Sequence, residues 1–195
     1  MLVLGIAGSP RRNGNSEILL DEALSAAAAM GVEVEKVVLS ELQYLPCISC
    51  GACDKTGICS LEDEMQALYE KIGAAQALIF ASPIYFYTVS AWAKGAIDRA
   101  QALWSRKYVL KDPRYTAAKA GYFIAVGATS GSKLFDGASL TMKYYFDAAG
   151  YAQAGSLLVR GMDEKGAVLA LAEKMDAARE LGQRAAISCR LTAGE

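Results

Sequence analysis

The sequence predicts an α/β fold: a three-layer sandwich with helices on both faces of a five-stranded parallel sheet of order 2-1-3-4-5. Three observations carry this expectation. Apolar runs with strand character alternate with amphipathic helical patterns along the chain. The first run stops abruptly in a polar, glycine-containing loop that opens directly into a helix. No repeat, low-complexity tract or linker interrupts the 195 residues, which read as one domain (1–195) with a cysteine-rich insertion at about 46–60.

The elements follow in order. Residues 2–7 form the first strand, and residues 16–30 a helix with Ile18, Leu19, Ala23, Ala26 and Met30 near one face. Residues 32–38 alternate and then run apolar, giving the second strand. After the cysteine segment a short helix spans 61–73, its start marked by Glu62, Asp63 and Glu64, acids that complement a helix dipole. The third strand covers 77–81 and the next helix 90–100. Residues 101–119 read as a charged, tyrosine-containing connection. The fourth strand, 121–126, precedes a helix at 134–149, and the fifth strand is 151–159. A long amphipathic helix over 165–187 closes the chain, with Val168, Leu171, Met175, Ala178 and Leu181 on one side.

Composition excludes several function classes. The formal net charge is −1 with no long like-charge run, so nucleic acid is not an expected partner. The absence of histidine removes histidine acid/base catalysis and histidine metal sites. Residues 73–93 carry no charge, but Gln76, Ser82, Pro83, Thr88 and Ser90 break the apolarity a membrane span needs. With neither a basic leader nor a secretory signal, a soluble, cytoplasmic protein is expected. Five cysteines without that signal fit a reducing compartment, and Cys189, isolated near the C-terminus, reads as a passive thiol.

In a sheet of this order, ligands bind beyond the strand ends beside the first strand, where three loops meet. The first, 8–16, offers Ser9, Arg11, Asn13, Gly14, Asn15 and Ser16. Its helix N-terminus supplies unpaired N–H groups and positive potential, which suits phosphate. It matches neither G-x-x-x-x-G-K-[ST] nor G-x-G-x-x-G, so a nucleoside triphosphatase and a dinucleotide-type start are disfavoured. The second loop, 82–88, stiffened by Pro83 and followed by Ile84, Tyr85 and Phe86, offers an apolar wall for a flat heteroaromatic ring. The third, with Thr129, Ser130 and Gly131, lets backbone approach a ligand closely.

These segments, together with Lys94-Gly95-Ala96-Ile97-Asp98-Arg99, resemble the flavodoxin-like NAD(P)H-dependent FMN reductase family through most of the chain, to about the fifth strand. The resemblance implies that Ser9, Arg11, Asn13, Asn15 and Ser16 hold the FMN phosphate. Pro83, Ile84, Tyr85 and Phe86 would lie along the isoalloxazine, with Thr129, Ser130 and Gly131 on its other side. It also implies a homodimer or homotetramer, whose interface would draw on Trp92, Trp104 and the tyrosines between 101 and 115. Lys94 and Asp98-Arg99 read on a helix as a solvated face with an ion pair.

Cys47, Cys50, Cys53 and Cys59 form a C-x2-C-x2-C-x5-C array. Two x2 spacings turn three thiolates inward, and Gly57 relaxes the longer gap to a fourth. Four thiolates suit a [4Fe–4S] cluster, tetrahedral zinc is chemically compatible, and free redox thiols are a third reading. The array resembles the compact motif of the iron–sulfur flavoproteins, a branch of the same family in which FMN and a [4Fe–4S] cluster exchange electrons. The implied function is an FMN-dependent oxidoreductase. Its donor would be NAD(P)H or a ferredoxin-type protein, and its acceptor a small molecule or a protein. The alternatives are a cluster-free quinone, azo-dye or flavin reductase, a flavodoxin-type carrier, and a zinc-stapled binding module. A near-neutral surface argues against the carrier, which needs an acidic docking face.

Overall fold

The computed structural model describes residues 1–116 and 119–194. The strands are β1 (Leu2–Ala7), β2 (Glu33–Val38), β3 (Ala77–Tyr85), β4 (Thr88–Val89), β5 (Lys119–Val126) and β6 (Tyr151–Val159). The helices are α1 (Asn15–Ala29), α2 (Cys53–Thr56), α3 (Met65–Ala74), α4 (Ala91–Asp98), α5 (Gln101–Tyr108), α6 (Pro113–Thr116), α7 (Asp136–Ala148) and α8 (Ala172–Ala193), with 3-10 turns at Leu39–Glu41 and Ala167–Ala170. Five strands pair in parallel in the order β2-β1-β3-β5-β6, the expected 2-1-3-4-5 arrangement, and short β4 adds an antiparallel pair to β3.

The central strands β1, β3 and β5 look almost continuously apolar because both faces are covered. Leu4, Ile6, Leu78, Phe80 and Phe123 point to the side packed by α3, α4, α5 and α7. Their neighbours Val3, Ala7, Ile79, Tyr122 and Ile124 point to the side packed by α1 and α8. α1 and α8 pack very closely: a Cβ on Gly182 would stand 1.9 Å from the Ala23 carbonyl oxygen. No rotamer relieves a clash with backbone, so Gly182→Ala is expected to destabilise the protein by about 3 kcal/mol, read as a fall in the urea midpoint.

Three expectations about elements need correction. The 101–119 connection contains two helices, α5 and α6, because Arg106 and Tyr115 are buried there and their polar atoms are paired. The third strand runs on to Tyr85 and turns back through Phe86 and Tyr87, both at positive φ (49° and 64°), into β4. The last helix begins at Ala172, not at residue 165, because the preceding segment crosses over the first loop. Gly166, at φ 80°, turns that segment.

Candidate functional site: a cleft at the first helix and a cysteine cavity

Buried serines knit the first two loops together at the carboxyl end of β1. The Gly8 N–H donates to the Ala81 carbonyl at 2.7 Å. The Ser90 hydroxyl donates to the Gly8 carbonyl and accepts from the Ala93 N–H, capping α4. Ser82 Oγ in turn accepts from the Ser90 N–H at 3.1 Å. In the first loop, Ser9 Oγ accepts from the Arg11 N–H, and Asn13 takes a left-handed turn at φ 53°. This delivers the chain to Gly14, the N-cap of α1, which has no side chain to cap the helix. Among the described residues, the N–H groups of Asn15, Ser16 and Glu17 therefore have no protein partner. Three donors without a protein partner at a helix N-terminus are able to receive an anion.

A cleft enclosing about 70 Å³ is lined by Asn15 and Ser16, which carry two of these donors, and not by Glu17. Ser9, Arg11, Gly14, Asn15 and Ser16 line it from the first loop, and Pro83, Ile84 and Tyr85 from the second. Val126 and Ala128 represent β5 and the loop after it, while Thr129, Ser130 and Gly131 are not among the lining residues, nor are Asn13 and Phe86. Gly131 instead backs onto Tyr87, whose hydroxyl would stand 3.1 Å from a Cβ there. The sequence reading missed Met162 and Asp163, which wall the cleft from the segment after β6. Asn15 and Arg11 also do more than foreseen. The Asn15 side chain bonds Glu164 and Val168, and Arg11 Nη1 donates to the Asp163 carbonyl at 3.2 Å.

Glu17 is an unforeseen member of this region. It is buried in the first turn of α1, where it accepts from the Asn13 N–H at 2.6 Å and from Arg12 and Lys36. Burial pushes its carboxyl up, but the hydrogen bonds from Arg12, Asn13 and Lys36 outweigh it and hold the group below its ordinary 4.5. The stabilisation is present above that value and is lost as pH falls through the lowered one. Glu17→Gln is therefore expected to melt lower than the parent near pH 7, with the gap narrowing only as the pH falls below 4.5.

The four clustered cysteines surround a second cavity, of about 450 Å³. Ser49 (φ 54°) and Gly51 (φ 72°) bend the chain between them, and Cys53 opens α2. Cys47 and Cys50 are exposed, Cys59 is half-buried and Cys53 is buried. Cys47 Sγ accepts from the Ser49 N–H at 3.4 Å, and Cys50 Sγ lies 3.1 Å from Ser60 Oγ. Among the described residues, no three of the cysteine, aspartate and glutamate side chains converge on a single-ion position. The thiols ring a cavity instead of meeting at a point.

Two buried arginines fasten this segment, and neither role was foreseen. Arg99, expected on a solvated face, is 1% exposed and lines the cysteine cavity. It forms a bidentate pair with Asp63 (2.7 and 3.0 Å) and donates to the Leu45 carbonyl at 2.7 Å. It thus grips the chain on both sides of the cysteines. Arg106 Nε donates to the Gly57 carbonyl at 2.9 Å, in the middle of the segment. Gly57, at φ 65°, admits no side chain, because a Cβ would stand 2.6 Å from Arg106 Cγ. The expected Lys94–Asp98 ion pair is present on the exposed face at 2.7 Å.

Comparison with known proteins decides the family. The sequence model described as NADPH-dependent FMN reductase matches residues 1–149. The chain belongs to the NADPH-dependent FMN reductase family. Within it, the chain is 41% identical over 103 residues to an iron-sulfur flavoprotein of Methanocaldococcus jannaschii, covering 53% of each chain. It is 35% identical over 129 residues to the iron-sulfur flavoprotein of Methanosarcina thermophila, covering 66% of this chain and 64% of that one. The matches thus span about half to two thirds of these relatives' length. Among solved structures, a flavone reductase superposes with a TM-score of 0.75 at 20% identity over 97% of this chain and 63% of its own, a likeness of fold. Both the cysteine array and the cleft lined by the first two loops of this reductase-family chain fall inside the matched residues, whereas Met162 and Asp163 lie beyond them.

Proposed function

We propose that the protein is an FMN-dependent oxidoreductase that takes reducing equivalents from NAD(P)H. The observation that carries this is the start of α1: the unpartnered N–H groups of Asn15 and Ser16 at a cleft that Ser9 and Arg11 also line. A phosphate group fits the enclosed volume, and a flat ring would lie across the open mouth along Pro83, Ile84 and Tyr85. Asn13 and Gly14 set the loop's path, and Phe86 and Thr129–Gly131 stay in the proposal as ring neighbours outside the enclosed part. Bound FMN would supply hydride acceptance and single-electron release. The chain's own residues bind the phosphate, exclude water along the apolar wall and present one ring face to a donor.

Cys47, Cys50, Cys53 and Cys59 are proposed to hold a [4Fe–4S] cluster, which would carry electrons one at a time. Four thiols around a cavity, on backbone turned by two left-handed residues, support a multinuclear cluster over zinc. Arg99 and Arg106 would hold that cradle in shape. The cluster-free reading, with redox thiols, draws on the exposure of Cys47 and Cys50. The near-neutral charge disfavours a flavodoxin-type carrier. The proposed compartment is the reducing cytoplasm, where clustered thiols serve metal or redox chemistry; among the described residues no helix is long and apolar enough to cross a membrane. Exposed Trp92, Trp104 and Tyr144 offer a surface for a homodimer or homotetramer. A nicotinamide or ferredoxin-type donor and a small-molecule or protein acceptor complete the scheme.

Anaerobically purified protein tests it. Flavin absorption that bleaches with NAD(P)H, broad cluster absorption, and iron with acid-labile sulfide are expected. A colourless protein that takes up no FMN would overturn the reading, and flavin without iron would leave the cluster-free reductase.

A further inference from the structure

The segment from Arg160 to Val168 lies outside the residues the family model matches, yet it touches two of the three loops at the cleft. At its near end it is tied to the third loop. The Gly161 N–H donates to the Thr129 carbonyl at 3.3 Å, the Met162 N–H to Gly127 at 3.1 Å, and Arg160 to Ser132 at 3.2 Å. Farther along it is tied to the first loop. Asn15 Nδ2 donates to the Glu164 carbonyl at 2.8 Å, Asn15 Oδ1 accepts from the Val168 N–H, and Arg11 holds the Asp163 carbonyl. Val168 is fully buried among residues of α1 and α8 and anchors the far end. Met162 and Asp163 stand between these ties as a wall of the phosphate cleft.

We propose that 160–168 is a strap along the cleft that slows release of the bound mononucleotide by walling in its phosphate. The proposal rests on the reading of the cleft as the phosphate site and deepens it. The strap's contacts run to a side chain of α1 and to backbone carbonyls, so a phosphate held by Asn15 and Ser16 N–H groups is enclosed on the side that the sheet loops leave open. Loosening either end of the strap therefore removes one wall of the phosphate's surroundings. The effect is expected mainly in the dissociation rate.

Two variants loosen the strap in different ways. Asn15→Leu removes both side-chain ties and keeps the backbone N–H that faces the cleft. Asp163→Gly with Glu164→Gly leaves the first loop untouched and raises the strap's flexibility; it decides the matter should Asn15→Leu fail to fold. The measurement is the dissociation rate of FMN, followed by recovery of free-flavin fluorescence on dilution, with riboflavin as the phosphate-free control. Both variants are expected to release FMN about tenfold faster than the parent, with riboflavin release changed little. Variants that release FMN at the parental rate, from a parent that prefers FMN to riboflavin, would overturn the strap alone. A parent that binds the two flavins equally, or neither, would overturn the phosphate reading and the strap with it.

Discussion

Ser16→Asp is expected to lower FMN affinity at least about a hundredfold while leaving the fold intact. Ser16 lies in the first turn of α1, lines the cleft, and has no hydrogen-bond partner for its N–H among the described residues. A carboxylate there occupies the place of the phosphate and repels what remains of it. The same carboxylate complements the helix dipole, worth about 0.3–1 kcal/mol in the folded state's favour. The variant thus separates binding from stability: equilibrium titration with FMN should show the loss, and thermal melting of the apoprotein should show none. Ser16→Ala, which keeps the N–H and removes only the hydroxyl, should bind within about tenfold of the parent.

Arg99→Leu is expected to destabilise the protein by about 3–5 kcal/mol and to abolish assembly of the proposed cluster. Removing the guanidinium leaves Asp63 without its bidentate partner and the Leu45 carbonyl without its donor, both at the base of the cysteine segment. Arg99 also bonds the Tyr69 hydroxyl, so the loss reaches the core. Arg99→Lys restores the charge but not the fork, and should recover part of the stability and less of the iron. Urea denaturation and iron analysis on the same preparations check both statements. Stability lost with iron retained at the parental stoichiometry would show that the arginine supports the core and not the cysteine cradle.

The parallel sheet was legible because strands buried on both faces write their position as unbroken apolar runs, such as Leu78-Ile79-Phe80-Ala81. The first loop was legible because glycine, serine and asparagine between strand and helix have a mechanism, and the free N–H groups follow from Gly14 as N-cap. Helices α5 and α6 were hidden by their charges. Arg106 reads as solvated in sequence but is buried with Gly57, Glu70 and Tyr115 as partners. Arg99 misled for the same reason: a helix-end arginine looks exposed until its carboxylate partner, 36 residues earlier, is known. The strap was hidden because most of its ties go to backbone carbonyls, which leave no signature in residue type. The carboxylate of Glu17 gave no sign either, since acids in a first helical turn are ordinary.

A structure of the protein with FMN tests the central claim most directly. The account predicts phosphate oxygens within hydrogen-bond distance of the Asn15, Ser16 and Glu17 N–H groups, with the ring along Pro83, Ile84 and Tyr85. A mononucleotide whose phosphate sits anywhere else, with these three donors facing water, would contradict it.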